Sequence, residues 1–324
     1  MPKDSPLRIL VAGAGAFGRE HIARLAARAD VKLVGVADAN ADALARVRAR
    51  HGVEIRRADA LALIDEVAAD AIVVATPAVS HVEIATRALG GNLGVLLEKP
   101  IASSATAAAA LVAAAERSRG FALPGHVLRF SKDHMRLVDI VRSGRVGDVL
   151  YVSSRRYRDD DHAIRYPDED PVLMTLIHDI DLAQWVAGSD FASVLAHRSK
   201  GPGIRSLTAA RATTVAGVIC DLRTAWTFPA GDLPPDRLEV VGDRGSVELI
   251  VGEGARLYSD GRREDYPALA DDDPLRNEHD HFLARVADRS LPPALGLAEA
   301  LAGLRLADAA MESLRSGREV AIAP

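Results

Sequence analysis

The stretch Leu7-Arg8-Ile9-Leu10-Val11-Ala12-Gly13-Ala14-Gly15-Ala16-Phe17-Gly18 decides how the first half of this chain folds. Leu7 to Ala12 is apolar but for one charge, the pattern of a strand buried on both faces of a parallel sheet. Three glycines follow at G-x-G-x-x-G spacing. Gly13 permits a tight turn, Gly15 has no side chain to keep backbone away from a pyrophosphate, and Gly18 lets the next helix pack close to the strand. That helix, opening at Ala16 and Phe17, presents free N–H groups and a positive dipole end to phosphates. Asp38 ends the following strand, Val31 to Ala37, and lies 20 residues beyond Gly18. A carboxylate at that distance hydrogen-bonds an adenosine ribose. These residues together imply a bound dinucleotide. Asp38 repels a 2′-phosphate, and Ala39 and Asn40 supply no cation, so NAD is expected rather than NADP.

Outward from this unit, strand and helix alternate. Helices are expected over Ala16 to about Arg28, Ala41 to Arg50 with Gly52 as the stop, and Asp59 to Val67. Ser80 is read as the cap of a helix reaching Leu89, and Ser103 or Ser104 as the cap of an alanine-rich helix reaching Arg117. Strands are expected near Val53, at Ala71 to Ala75, at Val95 to Leu97 and at Phe121 to Val127. Such alternation means a doubly wound parallel sheet with right-handed crossovers.

The second half changes character. One helical pattern runs from Val172 to Ala187. Strand-like runs cover Tyr151 to Arg156, Ser193 to Ser199, Thr213 to Phe228, Arg237 to Val241 and Ser246 to Val251, and Gly242-Asp243-Arg244-Gly245 is a hairpin signal. Two helices close the pattern, Arg276 to Ala287 and Ala298 to Ser316. The expected fold class is α/β: an N-terminal Rossmann sheet plus a C-terminal α+β domain with a mostly antiparallel open sheet. Domain limits are expected at residues 1–124 for the dinucleotide-binding domain and 125–324 for substrate binding and oligomerisation.

Composition agrees with two soluble domains: 324 residues, 48% hydrophobic and 26% charged. The net charge of −5 gives no basic footprint for nucleic acid. The opening Met1-Pro2-Lys3-Asp4-Ser5-Pro6 lacks signal-peptide order and the apolar run after it is too short for a membrane span, so a cytoplasmic enzyme is expected. The single cysteine, Cys220, lies in an apolar run and reads as a buried structural thiol.

Two tripeptides sit at the C-terminal ends of predicted strands, where open α/β sheets bind their ligands. Ala75-Thr76-Pro77 is followed by His81, and the other is Glu98-Lys99-Pro100. A lysine there reaches both a nicotinamide and a substrate hydroxyl, whereas an isolated lysine in such a turn is ordinarily just exposed. His81 reads as a structural contact beside the cofactor rather than a catalytic group. With these motifs, with His178 in His-Asp-Ile-Asp-Leu and with Asn277-Glu278 through Phe282, the whole chain resembles the glucose-fructose oxidoreductase, inositol dehydrogenase and MocA-like family. The resemblance implies oxidation or reduction of sugars, polyols and related hydroxy compounds with NAD or NADP. It also implies a catalytic Lys99, a cis Lys99–Pro100 bond, and subunits paired through the second sheet as a homodimer or homotetramer.

In the predicted helix Val172 to Ala187, Asp170 is the expected N-cap and Gly188 the stop. Leu173, Leu176, Ile177, Ile180 and Gln184 form a core stripe; Met174, His178, Asp181 and Trp185 form its neighbour. A histidine there is either a satisfied core residue or a base for the hydroxyl proton, since its pKa lies near working pH; the resemblance favours the base. Family dehydrogenases commonly carry an aspartate four residues before this histidine, where this chain has Met174. A thioether holds no charge, so Asp181 is read as the residue that orients His178.

His126 and Arg129 follow the sixth predicted strand and are read as substrate-site candidates, with packing at the domain junction as the plain reading. Tyr157, in the polar run Arg155 to His162, is read on a loop over the site, with a solvated charged loop as the plain reading. Asp271-Asp272-Asp273 reads as a solvated loop, and His279 and His281, two apart on a helix, make a poor metal pair; no catalytic metal is expected. Two other functional readings share the sequence: an NAD-binding sensor without turnover, and an enzyme that uses resident NAD with no net redox, epimerising or cleaving glycosides.

Overall fold

The computed structural model describes residues 5–166, 169–201 and 205–323. The opening Met1 to Asp4, read above for targeting signals, lie outside them. The chain divides into two compact units, Met1–Val127 with Asp273–Leu301, and Leu128–Asp272 with Ala302–Pro324.

In the first unit, apolar runs become strands and the capping residues between them set the helices. The order is β1 (Leu7–Ala12), α1 (Ala16–Ala26), β2 (Val31–Ala37), α2 (Ala41–His51), β3 (Arg56–Arg57), α3 (Ala60–Glu66), β4 (Ala71–Val74), α4 (His81–Gly90), β5 (Gly94–Glu98), α5 (Ala105–Glu116) and β6 (Phe121–Gly125). All six strands pair in parallel in the order β3-β2-β1-β4-β5-β6. Strand order reverses between β1 and β4, which puts the binding crevice at their C-terminal ends. Ile9, Leu10, Val11, Ile72, Val73, Val95, Leu96 and Leu97 are wholly buried, as strands covered by helices on both faces require. Asn40, Asp59 and Ser104 cap α2, α3 and α5 through side-chain oxygens that accept N–H bonds, and Gly52 ends α2 in the left-handed conformation. Ser80 does not cap α4 as expected. Its hydroxyl donates instead to Thr76 Oγ1 and the Pro77 carbonyl, because a 3₁₀ turn over Ala78–Ser80 carries the chain into the helix.

A 3₁₀ turn, Val127–Phe130, leads into the second unit and helix α6 (Lys132–Arg142), an element absent from the sequence-based expectation. Then come β7 (Val149–Asp159), α7 (Asp160–Arg165), a π turn over Val172–Leu176, α8 (Ile177–Ala187), β8 (Phe191–Lys200), β9 (Ser206–Thr214), β10 (Ile219–Phe228), β11 (Arg237–Gly242), β12 (Gly245–Ile250), β13 (Gly254–Ser259) and β14 (Arg262–Pro267). After α9 (Pro274–Ala287) and α10 (Leu297–Ser316), a short β15 (Val320–Ala321) completes a nine-stranded sheet of order β14-β13-β12-β11-β7-β10-β9-β8-β15. Only β7 and β10 pair in parallel among these neighbours, so the sheet is mostly antiparallel, as expected. The Gly242–Gly245 hairpin is present, with Val241 opposite Ser246.

Four local expectations change. The run Thr213 to Phe228 is two strands, broken where Gly217 turns at φ 86°. Arg155 to Arg158 is not a loop but part of β7, paired along its length by β10 and at Arg155 by β11 as well. The helix expected from Val172 starts as a π turn in which the Ile177 N–H bonds the Val172 carbonyl, five residues back. Helix α9, expected with the second domain, packs in the first unit. Among the described residues no helix is long and apolar enough to cross a membrane.

Candidate active site

The glycine turn after β1 has the geometry its spacing requires. Gly13 has φ 98°, and a Cβ there would stand 2.4 Å from the Ala75 carbonyl oxygen. A Cβ on Gly18 would stand 2.2 Å from the Gly13 carbonyl oxygen. A Cβ on Gly15 meets nothing within 4 Å. The three positions therefore differ in kind: two glycines are demanded by the protein itself, while Gly15 opens on free space at the N-terminus of α1. Ala16 and Phe17 in that first turn are exposed. Asp38 is anchored at the end of β2, accepting the Ala14 N–H on Oδ2 at 2.6 Å and the Asn40 N–H on Oδ1 at 2.7 Å. Gly13, Gly15, Asp38, Asn40, Asp59, Thr76 and Pro77 border one cleft of about 660 Å³. The residues present fit a dinucleotide: an uncapped helix N-terminus with open space at Gly15, and a fixed carboxylate at ribose distance along the chain.

Lys99 stands at the end of β5 on the same C-terminal edge of the sheet. The Lys99–Pro100 bond is cis. His81 is buried and bridges the two tripeptide turns, its Nε2 2.7 Å from the Thr76 carbonyl and its Nδ1 2.9 Å from the Pro100 carbonyl. Burial lowers its pKa, against the pull of the two carbonyls and of Glu98. It thus clasps the two turns together. Glu98 is buried too. Its Oε1 lies 3.0 Å from His21 Nε2, and its Oε2 accepts the Lys99 backbone N–H at 3.2 Å.

Sequence reasoning missed the partners beneath Glu98. His21 is fully buried on α1, and its Nδ1 lies 2.8 Å from His279 Nε2 on α9. Beside His279, Glu278 is fully buried. The signal was available: Leu275, Glu278, His279, Phe282 and Leu283 form the buried stripe of α9, and two ionisable residues inside an apolar stripe call for a partner.

In the second unit His178 opens α8 and is half-buried, as are Met174 and Trp185. The two aspartates beside it are buried and each is gripped by an arginine. Arg129 donates to both carboxylate oxygens of Asp181 at 2.9 Å and stacks over Trp185 at 4.8 Å. Arg156 of β7 donates to both oxygens of Asp179 at 3.0 and 3.2 Å and also to Asp236. Asp179 and Asp236 keep the buried Arg156 charged against the cost of its burial. These forks clamp α8 on either side of His178. The π turn adds one residue to the ladder between Met174 and His178, so the two do not stand in the four-residue relation of a regular helix.

Other candidates are placed differently. Arg129 is 3% exposed and committed to Asp181. Tyr157 alternates with Arg156 on β7 and faces the opposite side of the sheet from α8, stacked on Phe228 at 5.3 Å. His126 is buried after β6. Burial pushes the Cys220 thiol up to about 12, so it is no nucleophile at neutral pH.

Comparison with known proteins completes the assignment. Residues 7–126 match an oxidoreductase family with an NAD-binding Rossmann fold, and residues 134–248 match the GFO/IDH/MocA C-terminal domain. Similar proteins include inositol 2-dehydrogenase of Rhizobium meliloti, 26% identical over 98% of this chain and 99% of the relative, and inositol 2-dehydrogenase of Rubrobacter xylanophilus, 29% identical over 95% and 90%. An Agrobacterium radiobacter oxidoreductase, solved with NAD+, L-tartaric acid and magnesium, has the same fold, with a TM-score of 0.88 at 19% identity over 98% of both chains. Scyllo-inositol dehydrogenase from Lactobacillus casei, solved with NAD(H) and scyllo-inositol, has a TM-score of 0.83 at 18% identity over 99% of this chain and 100% of that one. The matched residues take in the glycine turn, Asp38, Lys99 and His178, and the chain belongs to the GFO/IDH/MocA family of oxidoreductases.

Proposed function

We propose that this protein is an NAD-dependent dehydrogenase acting on a secondary hydroxyl of a polyol, sugar or related hydroxy compound. The observation that carries the reading is the placement of Lys99 on the edge of the sheet that holds the glycine turn and Asp38, its backbone fastened by the buried Glu98 carboxyl. Bound NAD supplies a nicotinamide carbon that takes or gives the hydride. Lys99 donates a hydrogen bond to the reacting oxygen and so polarises it. His178 accepts the hydroxyl proton or passes it on. Asp181, locked by Arg129, fixes the helix from which His178 projects. NAD is favoured over NADP because Asp38 and Asp59 border the cleft and no lysine or arginine is among its bordering residues. The relatives named inositol 2-dehydrogenase make the inositols the first substrates to try.

The subunits are proposed to pair through the second sheet. Its face opposite α8 carries Tyr151, Ser153, Arg155, Asp221 and Arg223, half-exposed or exposed, and an uncovered sheet face of this kind suits an isologous dimer or tetramer.

The test is NADH formation with NAD+ and a panel led by myo-inositol and scyllo-inositol, beside Lys99→Ala. Turnover lost in Lys99→Ala, with NAD affinity by calorimetry retained, is the expected result. Silence across the panel with NAD bound would replace the reading by an NAD-binding sensor or a resident-NAD enzyme.

A further inference from the structure

Glu278 is the buried group that hydride transfer does not use. It is fully enclosed on α9, and neither carboxyl oxygen has a hydrogen-bond partner among the described residues. A charged carboxylate is strongly disfavoured in such a place, and its surroundings make it the neutral partner of a second carboxyl. Glu98 comes from β5, His21 from α1, and His279 from α9 itself. Arg24 of α1 and Arg28 just beyond it are the cations facing His279, and they are taken up by Glu20, Asp273, Asp30 and Asp280.

We assign one direction to the hydrogen bonds in this cluster. The Lys99 N–H donates to one oxygen of Glu98, and His21 is assigned the tautomer that donates its Nε2–H to the other. His21 Nδ1 then has to accept, so His279 donates its Nε2–H. That leaves His279 Nδ1 without a proton, and this atom is buried with no hydrogen-bond partner. Burial, and then His21, Arg28 and Arg24, push His279 down to about 3, in keeping with a neutral His279 ring. In that assignment the chain of donors ends on Glu98, which accepts on both oxygens as a carboxylate does. A second anion in the same dry space would repel it. Burial and Glu98 accordingly push Glu278 well above the usual carboxylate range.

We propose that His21, Glu278 and His279 are positioning residues for Lys99, holding one Glu98 carboxylate against the backbone from which the lysine reaches its substrate. Glu278 fills the space beside that carboxylate as a neutral acid, so two carboxyl groups share one negative charge. The inference rests on Lys99 as the catalytic lysine.

Three readings test it. In infrared spectra at about pH 8, far above the ordinary carboxylate range, the native protein shows the carbonyl band of a protonated acid, and Glu278→Gln lacks it. In kinetics with NAD+ and the best inositol of the panel, Glu278→Ala lowers kcat about 100-fold, the scale of a small misplacement at a reacting group. NAD affinity and KM stay within a few-fold, and Glu278→Gln recovers most of the loss. The chain has five lysines, so NMR of the methylated amines resolves Lys99, whose titration midpoint moves in Glu278→Ala and holds in Glu278→Gln. His21→Asn breaks the link to Glu98 from the other helix and is read in the same three ways should Glu278→Ala fold poorly. Absence of the protonated-acid band overturns the proposal, as does unchanged kcat in folded Glu278→Ala or His21→Asn. Turnover surviving in Lys99→Ala defeats the catalytic reading instead, and the band and the Lys99 midpoint still decide whether the cluster holds one charge and grips that backbone.

Discussion

Gly13 and Arg129 show how much a single position carries. At Gly13 any side chain meets the backbone of Ala75, and the left-handed φ adds strain to the clash. Gly13→Ala should cost at least about 1–3 kcal/mol, the range for strained backbone, and should weaken NAD binding; urea unfolding and calorimetry check both. Arg129→Met removes the fork that neutralises the buried Asp181, and breaking a buried pair costs about 3–5 kcal/mol. The expected result is a large fall in the urea midpoint. A midpoint that stays put while KM rises would make Arg129 a substrate ligand instead. Asp38 offers the specificity test: Asp38→Ala should narrow the preference for NAD over NADP, measured as the ratio of the two kcat/KM values.

At the scale of elements, legibility followed the source of each signal. Strands β1, β2 and β4 were readable because burial on both faces leaves almost only apolar side chains, with one charge each at Arg8 and Lys32 near the strand starts, and α2 because Asn40 and Gly52 punctuate it. Helix α6 shows His134, Leu137, Val138 and Val141 at helical spacing and all are buried, yet a histidine heads the stripe and hides it. The π turn was invisible, since an extra residue in the ladder leaves the composition of a helix unchanged. It is held from outside: Trp226 Nε1 donates to Thr175, and Asp170 accepts the Val172 N–H while gripping Arg198. Asp170→Ala should cost about 1 kcal/mol for the cap alone, seen in denaturant unfolding, and should lower kcat by loosening the segment before His178. Lys99 and His178 were legible as residues in motifs. The arginine forks were not, because Arg129 and Asp181 lie 52 residues apart in the chain and nothing local joins them.

Across the molecule, buried ionisable groups set the pH range of stability. His134 in the second unit and His279 in the first are pushed down to about 3, chiefly by burial. The unfolded rings take up protons near pH ~6.5 and the folded ones do not. Each unit therefore loses stability as pH falls from that value toward 3, by about 1.4 kcal/mol per pH unit for each histidine. Glu278 acts with the opposite sign. Its folded form keeps a proton that the unfolded form releases near 4.5, so the first unit loses stability as pH rises above that value. Glu278→Gln should remove this alkaline slope and move the calorimetric optimum to higher pH. Helix α9 also has a consequence in time. It lies roughly 150 residues beyond β6, so at about 5–20 residues per second it leaves the ribosome on the order of ten seconds later. Until then Phe121 lacks the edge of Phe282 and the guanidinium of Arg285 that cover it. The nascent N-terminal sheet is thus complete in its strands and open on one flank until α9 arrives.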